Sequence, residues 1–209
     1  MGGRILSGEH WGVLGGTFDP VHFAHLAVAE QVRETLDLTG VLFLPAAQPV
    51  HKPNATVTPA EHRLRMVELA IAENPCFRTS HAEIERPTPS YSVDTMEELV
   101  AERPADSFYF IVSAEALAEL PGWRQPWRLL ELCPLVVVPR LGYALPAEGW
   151  FHEHFPGQRG RFVFVETTHL GHSASDIRAR VAAGRSIRYL VPSVVEDYIR
   201  ENRLYMAND

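Results

Sequence analysis

Apolar residues along the chain fall into short β-branched or aromatic runs that alternate with stretches of helical periodicity. The runs are nearly continuous in apolar side chains, as expected for strands of a parallel sheet that is buried on both faces. In the stretches between them, apolar positions recur every three or four residues, as in an amphipathic helix. The predicted strands are residues 11–14, 41–44, 76–79, 108–112, 135–138 and 162–165, and the predicted helices are residues 26–32, 60–73, 93–102, 173–183 and 192–203.

This alternation predicts an α/β fold with a Rossmann-like, doubly wound parallel sheet and a small C-terminal helical cap. Residues 141–160 are rich in glycine, proline and aromatic residues without a clear period, so we expect a loop excursion between two strands. The length of 209 residues favours a single domain over residues 1–209. Its Rossmann-like core is expected over about residues 10–170, and its C-terminal helical part over about residues 171–209.

Charge and composition narrow the choice of partners. The formal net charge of −7 (19 basic and 26 acidic residues) argues against a nucleic-acid partner. No apolar run approaches the roughly 20 residues that span a bilayer, and residues 1–10 do not resemble a signal peptide, so we expect no membrane partner and a cytoplasmic protein. Cys76 and Cys133 are expected to be free thiols because no C-x-x-C partner accompanies either. Homo-oligomerisation stays open.

The segment 15–25 carries the strongest chemical signal. It joins a glycine pair at the end of a predicted strand, Gly15 and Gly16, to His22 and His25 at the start of a predicted helix. Glycines allow an anion to approach the backbone closely, and a helix N-terminus offers unpaired N–H groups and the positive end of its dipole. Imidazoles three residues apart lie on one face of a helix. The segment therefore predicts a phosphate site, whereas zinc is disfavoured because a third and a fourth ligand are not visible.

These residues, G-G-T-F-D-P-V-H-F-A-H, resemble the G-G-[ST]-F-D-P-x-H-x-x-H signature of the nucleotidylyltransferases. A related H-x-x-H motif occurs in class I aminoacyl-tRNA synthetases, but this chain is too short for such an enzyme with its tRNA-binding parts. The resemblance implies that a phosphorylated substrate is joined to the α-phosphate of ATP with release of pyrophosphate.

A second group of polar residues lies at 172–178, H-S-A-S-D-I-R. Ser173 is predicted to be the N-cap of a helix, with Ser175 beside it and Arg178 one turn further on. Taken alone, this pattern favours an ordinary capped helix with a solvated arginine over an anion site. The segment also resembles the I-S-S-T-x-I-R motif, and residues 186–192 its S-I-R-Y-L-V-P continuation, of bacterial nicotinate-nucleotide adenylyltransferases.

Three further segments resemble the same family. Residues 49–52 are similar to its P-P-H-K loop, residues 90–95 to its S-Y-T-x-D-T segment, and residues 110–117 with Trp123 to its F-I-I-G-x-D-x-L…W block. Four positions depart from these patterns: Ser113 replaces a glycine, Glu115 an aspartate, Ala174 a serine and Ser175 a threonine. The resemblance covers about residues 13–205.

The resemblance implies a role for each matching residue, with ATP and nicotinate mononucleotide as substrates and Mg²⁺ as the cofactor that accompanies ATP. Asp19 is as consistent with fixing the turn as with a substrate contact, and Trp123 as consistent with core packing as with stacking on the pyridine ring. No protein metal ligand is predicted. The implied catalytic residues are His22, His25 and Arg178; the implied ATP-binding residues are Gly15, Gly16, Thr17, Phe18, His22, His25, Lys52, Ser173, Ser175 and Arg178; the implied nicotinate mononucleotide-binding residues are Asp19, Tyr91, Thr95, Glu115 and Trp123.

Two alternatives stay open from the sequence. The same chemistry could act on nicotinamide mononucleotide or on phosphopantetheine, because the preference for the acid over the amide follows from the resemblance alone. The chain could also be a nucleotide-binding regulator without catalysis, although the intact histidine pair and Arg178 count against that interpretation.

Overall fold

The structure, a computed structural model, describes residues 8–47, 57–86, 91–168 and 170–207. One parallel sheet contains six strands in the order β3-β2-β1-β4-β5-β6. The strands are β1 His10–Gly16, β2 Gly40–Pro45, β3 Phe77–Thr79, β4 Ser107–Ser113, β5 Leu135–Val138 and β6 Phe162–Phe164. The helices are α1 Phe23–Thr35, α2 Ala60–Ile71, α3 Ala82–Glu85, α4 Ser92–Glu102, α5 Ala114–Glu119, α6 Pro126–Leu132, α7 Glu148–His154, α8 Ala174–Ala182 and α9 Ser193–Glu201, with short 3₁₀ turns at Leu120–Gly122 and Arg159–Arg161.

Side chains of the strands alternate between two buried faces, which explains their continuous apolar runs. In β2, Val41 and Phe43 belong to one apolar cluster, whereas Leu42 and Leu44 belong to the other. The first cluster includes side chains of α1, α2, α8 and α9, and the second those of α4, α5, α6 and α7. Helices therefore cover both faces of the sheet, and this confirms the predicted Rossmann-like architecture and its C-terminal helices.

The strand order places a topological switch point between β1 and β4. The chain moves from β1 outward to β2 and β3, and then returns past β1 to build β4, β5 and β6 on the other side. Connections leave the carboxyl ends of β1 and β4 in opposite directions, so a crevice forms there, and in open α/β sheets ligands bind in such a crevice. The predicted phosphate segment begins at the carboxyl end of β1.

The region 141–160 differs from its prediction as a loop excursion. It contains α7, and both Phe151 on this helix and Phe155 directly after it are buried against Phe162 of β6. The helix is only seven residues long, too short for a period to be read from its sequence, and its formation depends on these tertiary contacts. The excursion therefore contributes part of the core.

The six predicted strands and four of the five predicted helices agree with the structure to within two residues at each end, whereas α1 extends three residues beyond its prediction at both ends, and the short helices α3, α5 and α6 were not predicted. Ser173 is the N-cap of α8, and Pro192 directly precedes α9. Cys76 and Cys133 are both free thiols. Among the helices of the described residues, none is long and apolar enough to cross a membrane.

Candidate active site

The turn from β1 to α1, residues 15–22, forms the floor of the candidate site. A Cβ atom on Gly16 would lie 3.1 to 3.3 Å from three ring atoms of Phe18, so a larger residue would displace that ring. Phe18 is 2% exposed, and the edge of its ring packs against His25 with centroids 5.0 Å apart. Because this ring is buried against His25, only the backbone of Phe18 would be left for the implied contact with ATP.

His22 and His25 lie together at the start of α1, as their spacing predicts. His22 is the N-cap, and its ring stacks on that of His25 with centroids 3.7 Å apart and an angle of 22° between the planes. The backbone N–H of His22 donates to Nδ1 of His25 at 3.3 Å. Because Nδ1 accepts this bond, a neutral His25 carries its proton on Nε2, where it can donate to an anion.

Both imidazoles are neutral at neutral pH. Burial lowers the pKa of His22 to about 2, with smaller contributions from the neighbouring His25, His172 and Arg140. Burial likewise lowers the pKa of His25 to about 3, followed by the effects of Arg140 and His172. A buried site that resists protonation but holds ring N–H donors next to a helix N-terminus is suited to a ligand that brings its own negative charge.

A third histidine, His172, joins this pair. Its ring meets that of His22 edge-on, with centroids 5.1 Å apart, and burial lowers its pKa. Nδ1 of His22 and Nε2 of His172 are buried and lack a hydrogen-bond partner among the described residues. Buried ring nitrogens normally have partners, so this arrangement indicates that a polar ligand completes the site.

The start of α8 forms the second wall. Ser173 caps the helix by accepting from the N–H of Asp176 at 3.2 Å, and its hydroxyl donates to the Asp176 carboxylate at 2.7 Å. Arg178 donates to the backbone carbonyl of Asp19 at 2.7 Å and to the hydroxyl of Ser175 at 3.4 Å. The structure therefore brings both predicted anion segments together, with Arg178 as the bridge between them.

A cavity of about 300 Å³ lies beside this junction. Glu115, Arg140 and Tyr143 line it together with His172 and Ser173. The Glu115 carboxylate accepts from the Tyr143 hydroxyl at 2.9 Å and lies 3.6 Å from Nε of Arg140. Tyr143 and Arg140 thus hold the Glu115 carboxylate in place.

Ser113, which departs from the family's glycine, has a local explanation. It is the N-cap of α5, and its hydroxyl accepts from the N–H of Ala116 at 3.2 Å. The added side chain therefore stabilises the helix that carries Glu115.

Tyr91 and Trp123 lie on the α4 side of the sheet. Tyr91 is the residue before α4, and the guanidinium carbon of Arg124 lies 4.7 Å from the centre of its ring. Trp123 is partly buried and meets Phe110 edge-on, with centroids 6.4 Å apart. Arg124 thus brings a positive charge next to Tyr91, one aromatic residue of the predicted pyridine site.

Two residues of the predicted substrate set are used inside the protein. Thr95 is fully buried, its hydroxyl donates to Glu83 at 3.0 Å, and its N–H donates to the Tyr91 carbonyl within the helix. The Asp19 carboxylate accepts from the hydroxyl of Tyr205 at 2.7 Å and from the N–H of Thr58 at 3.3 Å. These contacts assign both residues a supporting position in this structure. Lys52, together with the rest of residues 48–56, lies outside the described residues.

Sequence reasoning missed four residues that shape the site: Arg63, Arg140, Tyr143 and Tyr205. Arg63 is 1% exposed and donates to the carbonyls of Thr17, Ala47 and Thr58. Nothing in the spacing E-H-R-L-R distinguishes this arginine from the exposed Arg65 two residues later. His172, in contrast, lies in the second polar segment, but the family motif has an isoleucine at this position, so the motif assigned the histidine no role.

Comparisons with known proteins identify relatives of this chain along almost its whole length. A family model described as cytidylyltransferase-like matches residues 13–180. A protein of Roseiflexus sp. (strain RS-1), named a probable nicotinate-nucleotide adenylyltransferase, is 46% identical over 202 residues, which cover 96% of this chain and 100% of that protein. A protein of Thermomicrobium roseum with the same name is 44% identical over 194 residues, covering 93% of this chain and 90% of its own length.

Solved structures show the same fold. The Plasmodium falciparum nicotinic acid mononucleotide adenylyltransferase complexed with NaAD superposes with a TM-score of 0.77 at 16% identity, covering 94% of this chain and 97% of that one. The same enzyme complexed with APC gives a TM-score of 0.73 over the same shares of the two chains. At this level of identity the likeness concerns the fold alone.

Proposed function

The chain belongs to the cytidylyltransferase-like family and, within it, to the nicotinate-nucleotide adenylyltransferases, and from this premise we propose that its chemistry takes place around His22 and His25. The enzyme transfers the adenylyl group of ATP to nicotinate mononucleotide. The products are deamido-NAD (nicotinate adenine dinucleotide) and pyrophosphate, in a step of NAD biosynthesis.

One observation carries the proposal for the site. Two stacked, neutral histidines stand at the N-terminus of α1 at the switch point of the sheet, next to a third histidine and within reach of the start of α8. Ring N–H donors, a helix N-terminus and a guanidinium converge on one crevice, and this set favours the phosphate chain of ATP.

The mechanism needs positioning more than proton transfer. An oxygen of the 5′-phosphate of nicotinate mononucleotide attacks the α-phosphorus of ATP, and the bond from that phosphorus to the bridging oxygen of pyrophosphate breaks. The attacking phosphate is already ionised near neutral pH, so no general base is required. Holding the two reactants in line and stabilising the charge on the α-phosphoryl and pyrophosphate oxygens account for the rate.

We assign the phosphate contacts to His22, His25 and Arg178, with Lys52 as a further cation from a segment outside the described residues. His25 would donate from Nε2, because its Nδ1 accepts from the backbone. The backbone of the 15–22 turn would lie along the phosphates at Gly15, Gly16, Thr17 and Phe18, and Ser173 and Ser175 would border ATP at the start of α8. His172 faces the same crevice and would join this set.

The acceptor nucleotide would bind on the side of Tyr91 and Trp123. Trp123 would stack on the pyridine ring, and Arg124 beside Tyr91 would attract its carboxylate. Glu115, which lines the cavity, would contact a ribose. Thr95 and Asp19 would act on this substrate indirectly, by fixing the start of α4 and the 15–22 turn.

Mg²⁺ would enter as part of the ATP substrate complex. Within the described residues no three His, Cys, Asp or Glu side chains converge to hold a metal ion, and the side chains around the crevice are mostly hydrogen-bond donors. Magnesium prefers oxygen ligands, commonly keeps several waters and can be held largely by substrate phosphates. When bound there, it would neutralise phosphate charge. Cytoplasmic location, homo-oligomerisation and the lack of a nucleic-acid partner stay predictions from the sequence.

The deciding experiment measures pyrophosphate release with ATP and Mg²⁺, comparing nicotinate mononucleotide with nicotinamide mononucleotide at matched concentrations. We expect a kcat/KM at least about tenfold higher for the acid, which corresponds to about 1.4 kcal/mol of transition-state binding. Preference for the amide would keep the reaction and change the substrate. A folded protein that binds ATP and turns over neither nucleotide would contradict the proposal and favour phosphopantetheine or a regulatory role.

A further inference from the structure

The 15–22 turn contains a backbone conformation that the local sequence does not favour. Phe18 has a φ of 50°, in the left-handed region that residues with a side chain rarely adopt. Such a residue keeps this conformation only when its surroundings impose it. Four residues further along the chain, His22 is the N-cap of α1, so the position of the histidine pair depends on the contacts that hold Phe18.

Hydrogen bonds from distant parts of the chain fix both neighbours of Phe18. On one side, Arg63 of α2 donates from Nη1 to the carbonyl of Thr17 at 2.7 Å. On the other side, the hydroxyl of Tyr205 donates to Oδ1 of Asp19 at 2.7 Å. Asp19 is 4% exposed and Arg63 1% exposed, so solvent does not weaken these contacts as it would at the surface.

The two contacts form one connected network. Arg63 also donates to the carbonyls of Ala47 at 3.0 Å and Thr58 at 2.8 Å, and the N–H of Thr58 donates to Oδ2 of Asp19 at 3.3 Å. The guanidinium and the carboxylate therefore share Thr58 as a neighbour. This network joins the end of β2, the start of α2 and the segment after α9 to a single turn.

We propose that Tyr205 and Arg63 are positioning residues for adenylyl transfer, which hold Thr17 and Asp19 so that the 15–22 turn presents His22 and His25 to the phosphates of ATP. Neither residue needs to touch a substrate. Their effect on the reaction passes through Asp19 and Thr17. The inference rests on the proposed function, since it assigns a cause to the geometry of the same site.

Tyr205→Phe is the sharpest test, because it removes one hydroxyl and leaves the ring. We expect kcat to fall about tenfold, because a small displacement of phosphate-binding groups lowers the rate strongly. The KM for nicotinate mononucleotide should change less than about twofold. The matched control is Tyr198→Phe on α9, which removes a hydroxyl that lies 2.9 Å from Nδ1 of His62 on α2 and has no hydrogen bond to the 15–22 turn among the described residues. That control should lose a similar amount of thermal stability and keep its kcat within about twofold of the wild type.

Arg63→Lys provides a second variant, with Arg65→Lys on the exposed face of α2 as its control. Lysine keeps the charge but cannot donate to three carbonyls in the geometry of the guanidinium fork, so kcat should fall further than in Tyr205→Phe. In an Asp19→Ala background, which removes the acceptor of the Tyr205 hydroxyl, Tyr205→Phe should add less than about a twofold further loss, because both changes act on the same contact.

Three results would overturn the proposal: a wild-type kcat in Tyr205→Phe, an equal fall of kcat in Tyr198→Phe, or fully independent effects of Tyr205→Phe and Asp19→Ala. If the wild type itself lacks activity with nicotinate mononucleotide, the proposed function fails separately. Binding of a non-hydrolysable ATP analogue then tests the inference alone. Tyr205→Phe should weaken that binding severalfold, Tyr198→Phe should not, and equal binding by the two variants would contradict the inference.

Discussion

His22 and His25 stack their imidazole rings with centroids 3.7 Å apart, and the backbone N–H of His22 donates to Nδ1 of His25. Two protonated rings at this separation would repel each other in a buried environment, so the pair is stable in the neutral form. A polyphosphate that approaches Nε2 of His25 meets an oriented N–H donor. The stack thus prepares the site for charge that arrives with the substrate.

Replacing His22 with alanine should lower kcat about 10²- to 10³-fold, as expected for the loss of one preorganised donor to a developing charge. His22 is 3% exposed, so some stability is lost as well, but the backbone N–H that orients His25 remains. Steady-state pyrophosphate release, with circular dichroism to verify folding, measures the effect. His152→Ala, at an exposed position of α7, is the control and should retain wild-type turnover. Wild-type turnover in His22→Ala would remove the histidine pair from the mechanism.

Acid should destabilise the substrate-free protein through the same pair. The unfolded chain protonates each imidazole near pH 6.5, whereas burial holds the pKa of His22 at about 2 and that of His25 at about 3. Above pH 6.5 both states are neutral and the pair has no effect on the pH dependence. As pH falls from 6.5 towards 3, the unfolded state binds more protons, so the free energy of unfolding decreases by up to about 1.4 kcal/mol per pH unit for each group.

Urea unfolding of the wild type and of His22→Asn at pH 7.5 and pH 5.0 checks this dependence. The variant should lose less stability between the two pH values, because one of the buried imidazoles is gone. His152→Asn should show the wild-type loss, since its imidazole is exposed. Equal losses in all three proteins would show that the pair is not buried in its neutral form.

Much of the fold could be predicted from the sequence because its signals are local. The strands are buried on both faces, so their apolar runs are continuous, and the spacing of three residues between the histidines determines their contact once α1 begins at Phe23. The cap at Ser173 is equally local. In contrast, α7 forms because Phe151 and Phe155 pack on β6, which no pattern within residues 141–160 shows.

The supporting contacts of the site could not be predicted for a related reason. Tyr205 and Asp19 are separated by 186 residues, and Arg63 binds carbonyls whose positions depend on the completed sheet. Asp19 itself matched a substrate-binding motif, but a motif does not show that both carboxylate oxygens accept bonds from the protein. Residue type and spacing predicted the two segments that meet at the candidate site, residues 15–25 and 172–178, whereas the side chains that support them could be identified only from the fold.

Trp123→Ala should raise the KM for nicotinate mononucleotide at least about tenfold and the KM for ATP less than about threefold, because in the proposed site this ring would stack on the pyridine and would not contact ATP. Trp123→Phe, which keeps an aromatic ring against Phe110, should fall between this variant and the wild type. Trp127→Ala is the matched control, since that ring is 43% exposed and packs on Phe155 instead. Equal increases in both KM values would identify Trp123 as a packing residue.

Removal of divalent metal should abolish turnover without changing the stability of the substrate-free protein. If Mg²⁺ is held by ATP and its waters, a chelator leaves the melting temperature of the protein alone unchanged. The stabilisation that ATP provides should decrease on chelation and recover with added Mg²⁺. A lower melting temperature of the substrate-free protein in the chelator would instead indicate a metal ion held by the protein.

Arg124→Met should weaken the preference for the acid over the amide substrate. The guanidinium carbon lies 4.7 Å from the centre of the Tyr91 ring, and Nε lies 3.9 Å from the Asp94 carboxylate. Because this distance to Asp94 is long for an ion pair, the guanidinium is partly available to a second carboxylate. Because its side chain is half exposed, its attraction for the nicotinate carboxylate is modest, and we expect the ratio of kcat/KM values for acid and amide to fall about three- to fivefold. The KM for ATP should stay within about twofold. Arg128→Met, which removes an exposed arginine of α6 that pairs with Glu97 of α4, should leave the ratio unchanged. An unaltered ratio in Arg124→Met would assign recognition of the carboxylate to the backbone N–H groups near Tyr91 and Trp123.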